Sequence, residues 1–148
     1  MKTFVALAVS IVLVSILFCP LAMAAPSMPN DVQMVQPDPS LPKEIAGFWG
    51  KWEGSDQTME LFIIVEKIDE EKASLYIWRS GYKYEPMQIQ IPEGWERIEA
   101  TVNKEYGKYE LYFRDVGGWW GGFVYLALKG EYLDVTTPGG HGKFSRVP

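Results

Sequence analysis

Side chains that could carry out catalysis are few and far apart in this sequence. His141, in "PGGHGK", is the single histidine, and Cys19 is the single cysteine. A Ser–His–acid triad would have to use His141, and the chain has no G-x-S-x-G nucleophile elbow. It also has no recognisable metal-ligand spacing and no glycine-rich phosphate loop before a helix. These residues predict a protein that is not an enzyme and that needs no metal or other cofactor.

Carboxylates are the remaining catalytic candidates, because two of them about 5 to 9 Å apart can cleave a glycosidic bond. The acidic run "DEE" at 69–71, however, is typical of a turn. Arg97 and Glu99 share one face of a predicted strand, where we expect each to pair with a charge on a neighbouring strand. The acidic residues therefore do not indicate a glycosidase.

Arg79 is the first candidate for holding a ligand. It follows Ala73, Leu75 and Ile77 at every second position, which predicts that it ends the inner face of a strand. A guanidinium in that place can bind a ligand carboxylate through two parallel hydrogen bonds. The alternative is an arginine that lies in solvent or pairs with a nearby glutamate.

Aromatic side chains are the second group of binding candidates. In "GGWWGG" at 117–122, Trp119 and Trp120 are adjacent and would point to opposite faces of a strand. The flanking glycines indicate a bulge or a barrel corner. The outward ring either stacks on a sugar or is covered by the connection at 80–94. The further aromatic candidates are Trp78, Trp95, Tyr125, Tyr82 and Tyr84.

The first 24 residues have the pattern of a secretory signal peptide. Lys2 precedes an apolar run at 4–18, and "AMA" at 22–24 matches an A-x-A cleavage site. The run is shorter than the roughly 20 residues that a membrane span needs. We therefore expect cleavage after the leader and no stable membrane insertion afterwards. Phe18 is too bulky for the position before a lipidated cysteine, which disfavours a lipid anchor on Cys19.

The leader predicts a periplasmic or extracellular protein. Loss of Cys19 with the leader leaves no disulfide, so the mature chain depends on its core alone. The whole sequence has 14 Lys and Arg against 19 Asp and Glu, a formal charge of −5 that becomes −6 when Lys2 is removed. Without a basic cluster, neither nucleic acid nor an anionic membrane surface is an expected partner. The sequence does not indicate an oligomeric state.

Residues 25–45 form a proline-rich strap in front of a single domain at 46–148. Proline favours an extended chain here rather than a helix. The apolar residues of the strap, Val32, Met34 and Val35, are expected to lie against the outside of the domain.

From residue 46 onward the pattern predicts strands and no helix. In "TMELFIIVEKI" at 58–68, every second residue from Met59 to Val65 is apolar, and Phe62 and Ile64 make the other face apolar too. We expect the strap to cover that second face. The eight predicted strands are 47–54, 58–68, 73–79, 95–102, 108–113, 122–128, 131–137 and 141–147. Short strands with tight turns favour an all-β, antiparallel up-and-down barrel, because closure leaves no exposed edge.

The opening of the domain, "GFWGKWEG" at 47–54, predicts how one end of the barrel is closed. By strand parity Phe48, Gly50 and Trp52 face inward, and the glycines allow a sharp bend. "GKW" resembles the G-x-W opening of the calycins, the superfamily of lipocalins, fatty-acid-binding proteins and avidins. The resemblance implies that Trp52 closes the barrel floor and that a basic residue near the C-terminus, here Arg146, packs across its ring.

The chain also resembles small secreted bacterial domains of unknown role that open with "GKWEG" and have strands like "VEKID…ASLYIW". The short connection between the first two strands leaves no room for the helical lid of fatty-acid-binding proteins, and the helix that follows a lipocalin barrel is missing. Some calycin-like barrels of the nitrobindin type hold haem through one histidine near the last strand. We expect His141, between glycines at a turn, to be a solvated residue instead.

The function expected from these observations is non-enzymatic binding of a small lipophilic or amphipathic molecule in the barrel mouth. An eight-stranded barrel has room for one small ligand or for its own side chains. The rings expected inside are Phe48, Trp52, Tyr109, Phe113 and either Phe123 or Trp119. One alternative is a carbohydrate or cell-wall binding module that uses exposed aromatic residues. The other is a filled barrel that serves as an interaction domain for another envelope protein.

Overall fold

The structure, a computed structural model, describes residues 26–114 and 122–148. The strands are β1 (Gly50–Ser55), β2 (Glu60–Ile68), β3 (Lys72–Arg79), β4 (Tyr82–Tyr84), β5 (Ile89–Ile91), β6 (Gly94–Glu105), β7 (Lys108–Arg114), β8 (Phe123–Lys129), β9 (Tyr132–Thr137) and β10 (Gly140–Val147). A single-turn helix, α1 (Lys43–Ala46), precedes β1, and a 3-10 helix (Glu85–Met87) separates β4 from β5. Within these described ranges, no helix is both long and apolar enough to cross a bilayer.

Eight strands form a closed barrel in the order β1-β10-β9-β8-β7-β6-β3-β2, and every neighbouring pair is antiparallel. The predicted all-β, eight-stranded antiparallel barrel is confirmed. β4 and β5 form a separate two-stranded hairpin between β3 and β6, within the segment 80–94 that the sequence predicts to be a connection. The sequence also predicts no helix, so α1 is a correction: buried Ile45 anchors this turn against the core.

Successive connections of an antiparallel barrel lie at opposite ends. We call the end with the β2–β3, β6–β7 and β8–β9 turns the floor. The opposite end, with the β1–β2, β3–β6 and β9–β10 connections, is the mouth. The ends of β7 and β8 that lead into the undescribed segment 115–121 are also at the mouth.

Apolar side chains fill the barrel, because alternation along each strand turns every second residue inward. The large inner side chains that are fully buried include Trp52, Phe144, Ile63, Leu75, Leu111, Leu126 and Leu133. Phe144 lies directly on Gly54, where an added Cβ would come within 2.7 Å of the Phe144 ring. A glycine at position 54 thus makes room for one of the largest core residues.

The residues of β8 that face inward are not the ones predicted, since Phe123 faces outward. This side chain is 48% exposed, whereas Val124 is buried and lies opposite buried Phe113 of β7. Placing Phe123 inside is therefore wrong, because the register with β7 puts Val124 on the inner face. Phe113 and the partly buried Tyr109 do pack in the core as expected. Trp119 lies outside the described residues.

The strap crosses the outer face of β2, β3 and β6, as expected. Phe62, Ile64 and Tyr76 form a second, outer cluster, and Val32 of the strap packs against it. The Val35 amide donates to the carbonyl of Glu66 at 2.8 Å. Met34 and Val35 instead leave their side chains exposed, because the backbone of the strap, not these side chains, makes the contact.

Buried Glu66 is the polar centre of this contact. Its carboxylate accepts hydrogen bonds from Ser74 Oγ at 2.7 Å and from the Gln33 amide at 3.1 Å, and it pairs with Arg97. Burial raises the pKa of Glu66, but these donors outweigh burial and leave the pKa below its ordinary value. Asp31 of the strap accepts from the Tyr76 hydroxyl at 2.7 Å, and this bond lowers the pKa of Asp31.

The floor is closed as the calycin resemblance implies. Trp52 is fully buried, and its indole N–H donates to the Phe48 carbonyl at 2.9 Å. Arg146, opposite Trp52 in the β1–β10 register, places its guanidinium carbon 4.2 Å from the indole centroid. The same guanidinium donates to the carbonyls of Trp49 at 2.5 Å and Gly47 at 2.6 Å. Contact with the ring removes water from this cation and so lowers the pKa of Arg146.

Gly50 is required by this closure. Its φ is +125°, a value that favours glycine, and an added Cβ would lie 2.4 Å from Arg146 Nη1. The "GKW" motif thus supplies both the ring that closes the floor and the free space that the guanidinium needs above it.

Replacing Arg146→Ala is expected to lower the free energy of unfolding by about 1–3 kcal/mol, through loss of a cation–π contact and two charge-assisted hydrogen bonds. Urea denaturation followed by tryptophan fluorescence measures this change. Lys108→Ala, at the exposed start of β7, is the control and should change stability by less than about 0.5 kcal/mol. Equal effects of the two substitutions would contradict the proposed importance of the floor.

Acid is expected to release the strap. Asp31 and Glu66 both have lowered pKa values, so their contribution is complete above the unfolded values of about 4 and is lost as the pH falls through the lower folded values. Amide NMR signals of Gln33 and Val35, followed from pH 7 to acid, report this release.

Asp31→Asn should loosen the strap already at neutral pH and weaken its response to acid. Asp38→Asn is the matched control, because Asp38 bonds only locally to Ser40 among the contacts described for it. If the amide signals of Gln33 and Val35 do not shift at an acid pH at which the barrel is still folded, these carboxylates do not hold the strap on the barrel.

Candidate functional site

Arg79 lies on the inner face of the barrel, at the lip of the mouth. Its neighbour two residues back, Ile77, is part of the core, and alternation along β3 carries Arg79 to the same face. Glu96 of β6 lies opposite Ile77 in the register and shares this face. Arg79 Nη1 is 3.1 Å from Glu96 Oε2, and Arg79 Nε donates to the Pro92 carbonyl at 3.1 Å. The strand pairing therefore brings a cation and an anion together inside the lip.

The Arg79–Glu96 pair is largely removed from water. The side chains are 11% and 29% exposed, respectively. A guanidinium in such surroundings is stable only when its charge is paired. Of the two interpretations given for Arg79, the structure therefore contains the arginine that pairs with a nearby glutamate. A ligand carboxylate would bind here by taking the place of Glu96.

The connection between β3 and β6, which we call the mouth hairpin (residues 80–93), covers part of the lip. Ile91 is buried in the main core and Tyr82 packs against it. The Ser80 amide donates to the Glu60 carbonyl at 3.0 Å, which ties the start of the hairpin to β2. Gly81, with a φ of +76°, allows the turn out of β3. Ile91 and Tyr82 thus pack against the barrel core, and the Pro92 carbonyl reaches the ion pair.

The other side of the mouth is held by Asp56, which is fully buried. Its Oδ1 accepts from the amides of Thr58 and Met59 and from the Thr58 hydroxyl, while Oδ2 accepts from the Thr137 hydroxyl at 2.8 Å. Because Thr137 ends β9, this carboxylate ties the β1–β2 connection to β9. Asp56 is thus a structural group of the rim, whereas Arg79 and Glu96 form an ion pair inside it.

Trp78 and Trp95 lie on the outer face, away from Arg79. They are opposite each other in the β3–β6 register and pack with the outer cluster. The Trp95 ring meets Phe62 edge-on at 5.9 Å, and its indole N–H donates to the Ser27 carbonyl of the strap at 2.9 Å. These two tryptophans therefore line the seat of the strap rather than the mouth.

The other predicted aromatic residues fall elsewhere. Tyr125 is on the outer face of β8, beside Tyr112 and Phe123. Trp119 and Trp120 lie outside the described residues. The structure thus brings Arg79 together with Glu96, Trp78 with Trp95, and Tyr125 with two other rings, at three separate places.

The sequence places His141 between glycines at a turn, whereas the structure makes it the second residue of β10. Its side chain is exposed, as expected. Its Nε2 lies 3.0 Å from Asp134 Oδ1, and its Nδ1 lies 3.4 Å from the Thr136 hydroxyl. The side chain is on the outer face, remote from the barrel interior. Among the described residues, no group of three or more His, Cys, Asp or Glu side chains is arranged to hold a metal ion.

An open depression lies near the floor, with Tyr132, Lys143 and Arg146 in its lining. Both of its cations are already engaged. Arg146 covers Trp52, and Lys143 Nζ lies 4.0 Å from the centroid of the Tyr132 ring. The mouth is therefore the better candidate site.

Sequence reasoning missed the partners of these groups rather than the groups themselves. Glu96 extends the inward series Ala100, Ile98 and so could have been placed inside by alternation. Glu66 follows Phe62 and Ile64 at every second position and so could have been placed on the outer face under the strap, although a register shift between Val65 and Lys67 interrupts the pairing of β2 just there. The expected pairing with a neighbouring strand is confirmed for Glu99, whose partner is Lys72 of β3. Arg97 pairs instead with Glu66 of β2, one strand beyond β3.

Comparison with protein-family models, with curated proteins and with solved structures finds no match to this chain. The class of the protein accordingly follows from its own architecture. It is a closed, eight-stranded antiparallel β-barrel, which is compatible with a calycin-like fold, and it carries an ion pair inside its mouth.

Glu96→Gln is expected to reduce the free energy of unfolding by about 1–3 kcal/mol, because it removes a carboxylate that is paired with a mostly buried guanidinium. Glu99→Gln is the matched control: its partner Lys72 and Glu99 itself are 57% and 68% exposed, and the loss should stay below about 1 kcal/mol. Urea denaturation measures both. A Glu96→Gln variant as stable as the control would show that the mouth pair is effectively solvated.

Proposed function

We propose that this protein is an exported, non-enzymatic barrel of the calycin type that binds a small amphipathic molecule at its mouth. The observation that carries the proposal is Arg79, an inward-facing cation whose side chain is only 11% exposed and lies next to the apolar core at the lip. An ion pair that is largely removed from water adds little stability beyond well-packed apolar residues, so packing alone gives no reason for an arginine at this position. The floor formed by Trp52 and Arg146 supports the calycin assignment.

Binding would work by exchange of partners at Arg79. An anionic head group would accept the hydrogen bond that Arg79 Nη1 now donates to Glu96, in the two-pronged geometry that guanidinium favours. The apolar part of the ligand would lie against Leu61 and Ile77, the inner residues next to Arg79. Because the interior below them is filled by side chains, the ligand must be short, or the mouth hairpin must lift Ile91 out of the core.

The test is a fluorescence titration of the purified mature protein with an anilinonaphthalene sulfonate, followed by competition with a medium-chain fatty acid. Arg79→Gln should weaken binding at least about tenfold, whereas Arg79→Lys keeps the charge and should retain part of the affinity. Glu96→Gln should bind as well as or better than the unmodified protein, because it removes the competing carboxylate.

Arg114→Gln, an exposed arginine at the mouth end of β7, is the control and should bind normally. Near-UV circular dichroism checks that each variant is folded. Equal binding by the Arg79→Gln variant and the control would exclude Arg79 as the ligand site. Absence of any bound or added ligand in native mass spectrometry would exclude the binding function.

A filled barrel that serves as an interaction domain for an envelope protein is the second candidate, favoured by the dense packing of the interior. It predicts that native mass spectrometry finds no small molecule.

Export itself is tested by N-terminal sequencing of the secreted chain, which should begin at residue 25.

A further inference from the structure

Three aromatic rings lie together on the outer face of the barrel, on the side away from the strap. Tyr112 of β7 is 6.3 Å from both Phe123 and Tyr125 of β8, and those two rings are 6.4 Å apart, measured between ring centroids. Phe123 and Tyr125 are 48% and 42% exposed. We call these three rings the outer platform.

The position of the platform follows from the core. Val124 and Leu126 are buried, so alternation must turn Phe123 and Tyr125 outward, and the β7–β8 register brings Tyr112 opposite Tyr125. The fold offers a contrast on its other side. There the outward apolar residues of β2 and β3 are covered by the strap, whereas these rings are left exposed. Exposed, clustered aromatic rings on a soluble protein mark an interaction surface.

Polar side chains border the platform along the strand register. Tyr112 lies opposite Thr101 on one side and Tyr125 lies opposite Thr136 on the other, with His141 next beyond Thr136. Hydroxyl and imidazole groups thus continue the row of rings across neighbouring strands, about 4.8 Å apart. Such a row offers apolar faces and hydrogen-bonding groups side by side.

The charges around the platform have both signs. Arg114 and Glu110 flank Tyr112 at two residues' distance along β7, and Asp134 and Lys143 are opposite each other on β9 and β10. This mixture favours neither an anionic nor a cationic partner. Nucleic acid and anionic lipid would need a basic surface, so the complementary ligand is uncharged, with apolar faces and many hydroxyl groups.

We infer that the outer platform binds an uncharged polysaccharide. The C–H faces of the sugar rings stack on Phe123 and Tyr125, while the sugar hydroxyls bond to Thr136 and to the Asp134–His141 pair. This site is independent of the mouth, because its side chains are on the opposite face of the sheet from Arg79.

The experiment is a retention assay of the mature, full-domain protein on cellulose and on chitin. The unmodified protein should be retained, and retention should not fall between about 0.05 and 0.5 M salt, since screening affects only charged contacts. Phe123→Ala and Tyr125→Ala should each reduce the affinity at least about fivefold, and the double variant more. Both residues are exposed, so the variants should fold normally, as circular dichroism will check.

Tyr106→Ala is the matched control: Tyr106 is a 95% exposed tyrosine at the opposite, floor end of the barrel, and its loss should leave retention unchanged. Arg79→Gln should also be retained, which separates this site from the mouth. The inference is overturned if neither polymer retains the protein, or if Phe123→Ala and Tyr125→Ala bind like the Tyr106→Ala control. It is equally overturned if retention depends only on Trp119 or Trp120, or if the platform captures a protein but neither polymer.

Discussion

The contact of Arg146 with Trp52 is the interaction on which the barrel depends. It joins the last strand to the first at the point where the sheet closes on itself, with the guanidinium 4.2 Å from the indole centroid. The same guanidinium holds the carbonyls of Gly47 and Trp49, so it also fixes the chain that enters β1. β1 and β10 are also the barrel pair farthest apart in sequence, so this contact closes the longest loop of the chain.

Part of the sheet is apolar on both faces, and the strap covers its outer face. β2 is buried on both sides, and without the strap Phe62 and Ile64 on its outer face would lie in water. The strap solves this with few apolar contacts of its own, since it is held mainly through Glu66, Tyr76 and Trp95. A buried carboxylate with several donors is costly to leave unpaired, so the strap has one defined position on the barrel rather than a loose association.

The two proposed binding regions differ in their charge and in their exposed aromatic surface. The mouth has a paired cation inside an apolar lip, which suits an amphipathic molecule with an acidic head group. The outer platform has rings bordered by hydroxyls and by charges of both signs, which suits a neutral, hydroxyl-rich polymer. The two regions lie on opposite faces of the same sheet, so occupation of one need not disturb the other.

Much of the architecture could be predicted from the sequence by itself. Two-residue alternation and turn residues are local properties, and they predicted the eight barrel strands, the inward position of Trp52 and a strap over Phe62 and Ile64. Pairing and parity were harder, because they depend on neighbours far away in the chain. In "FVYLAL" both faces are apolar, so only the register with β7 decided that Val124 is inside and Phe123 outside. Likewise, only the fold brought Glu96 to Arg79 and Glu66 to Arg97, because a charge finds its partner across strands and not along one.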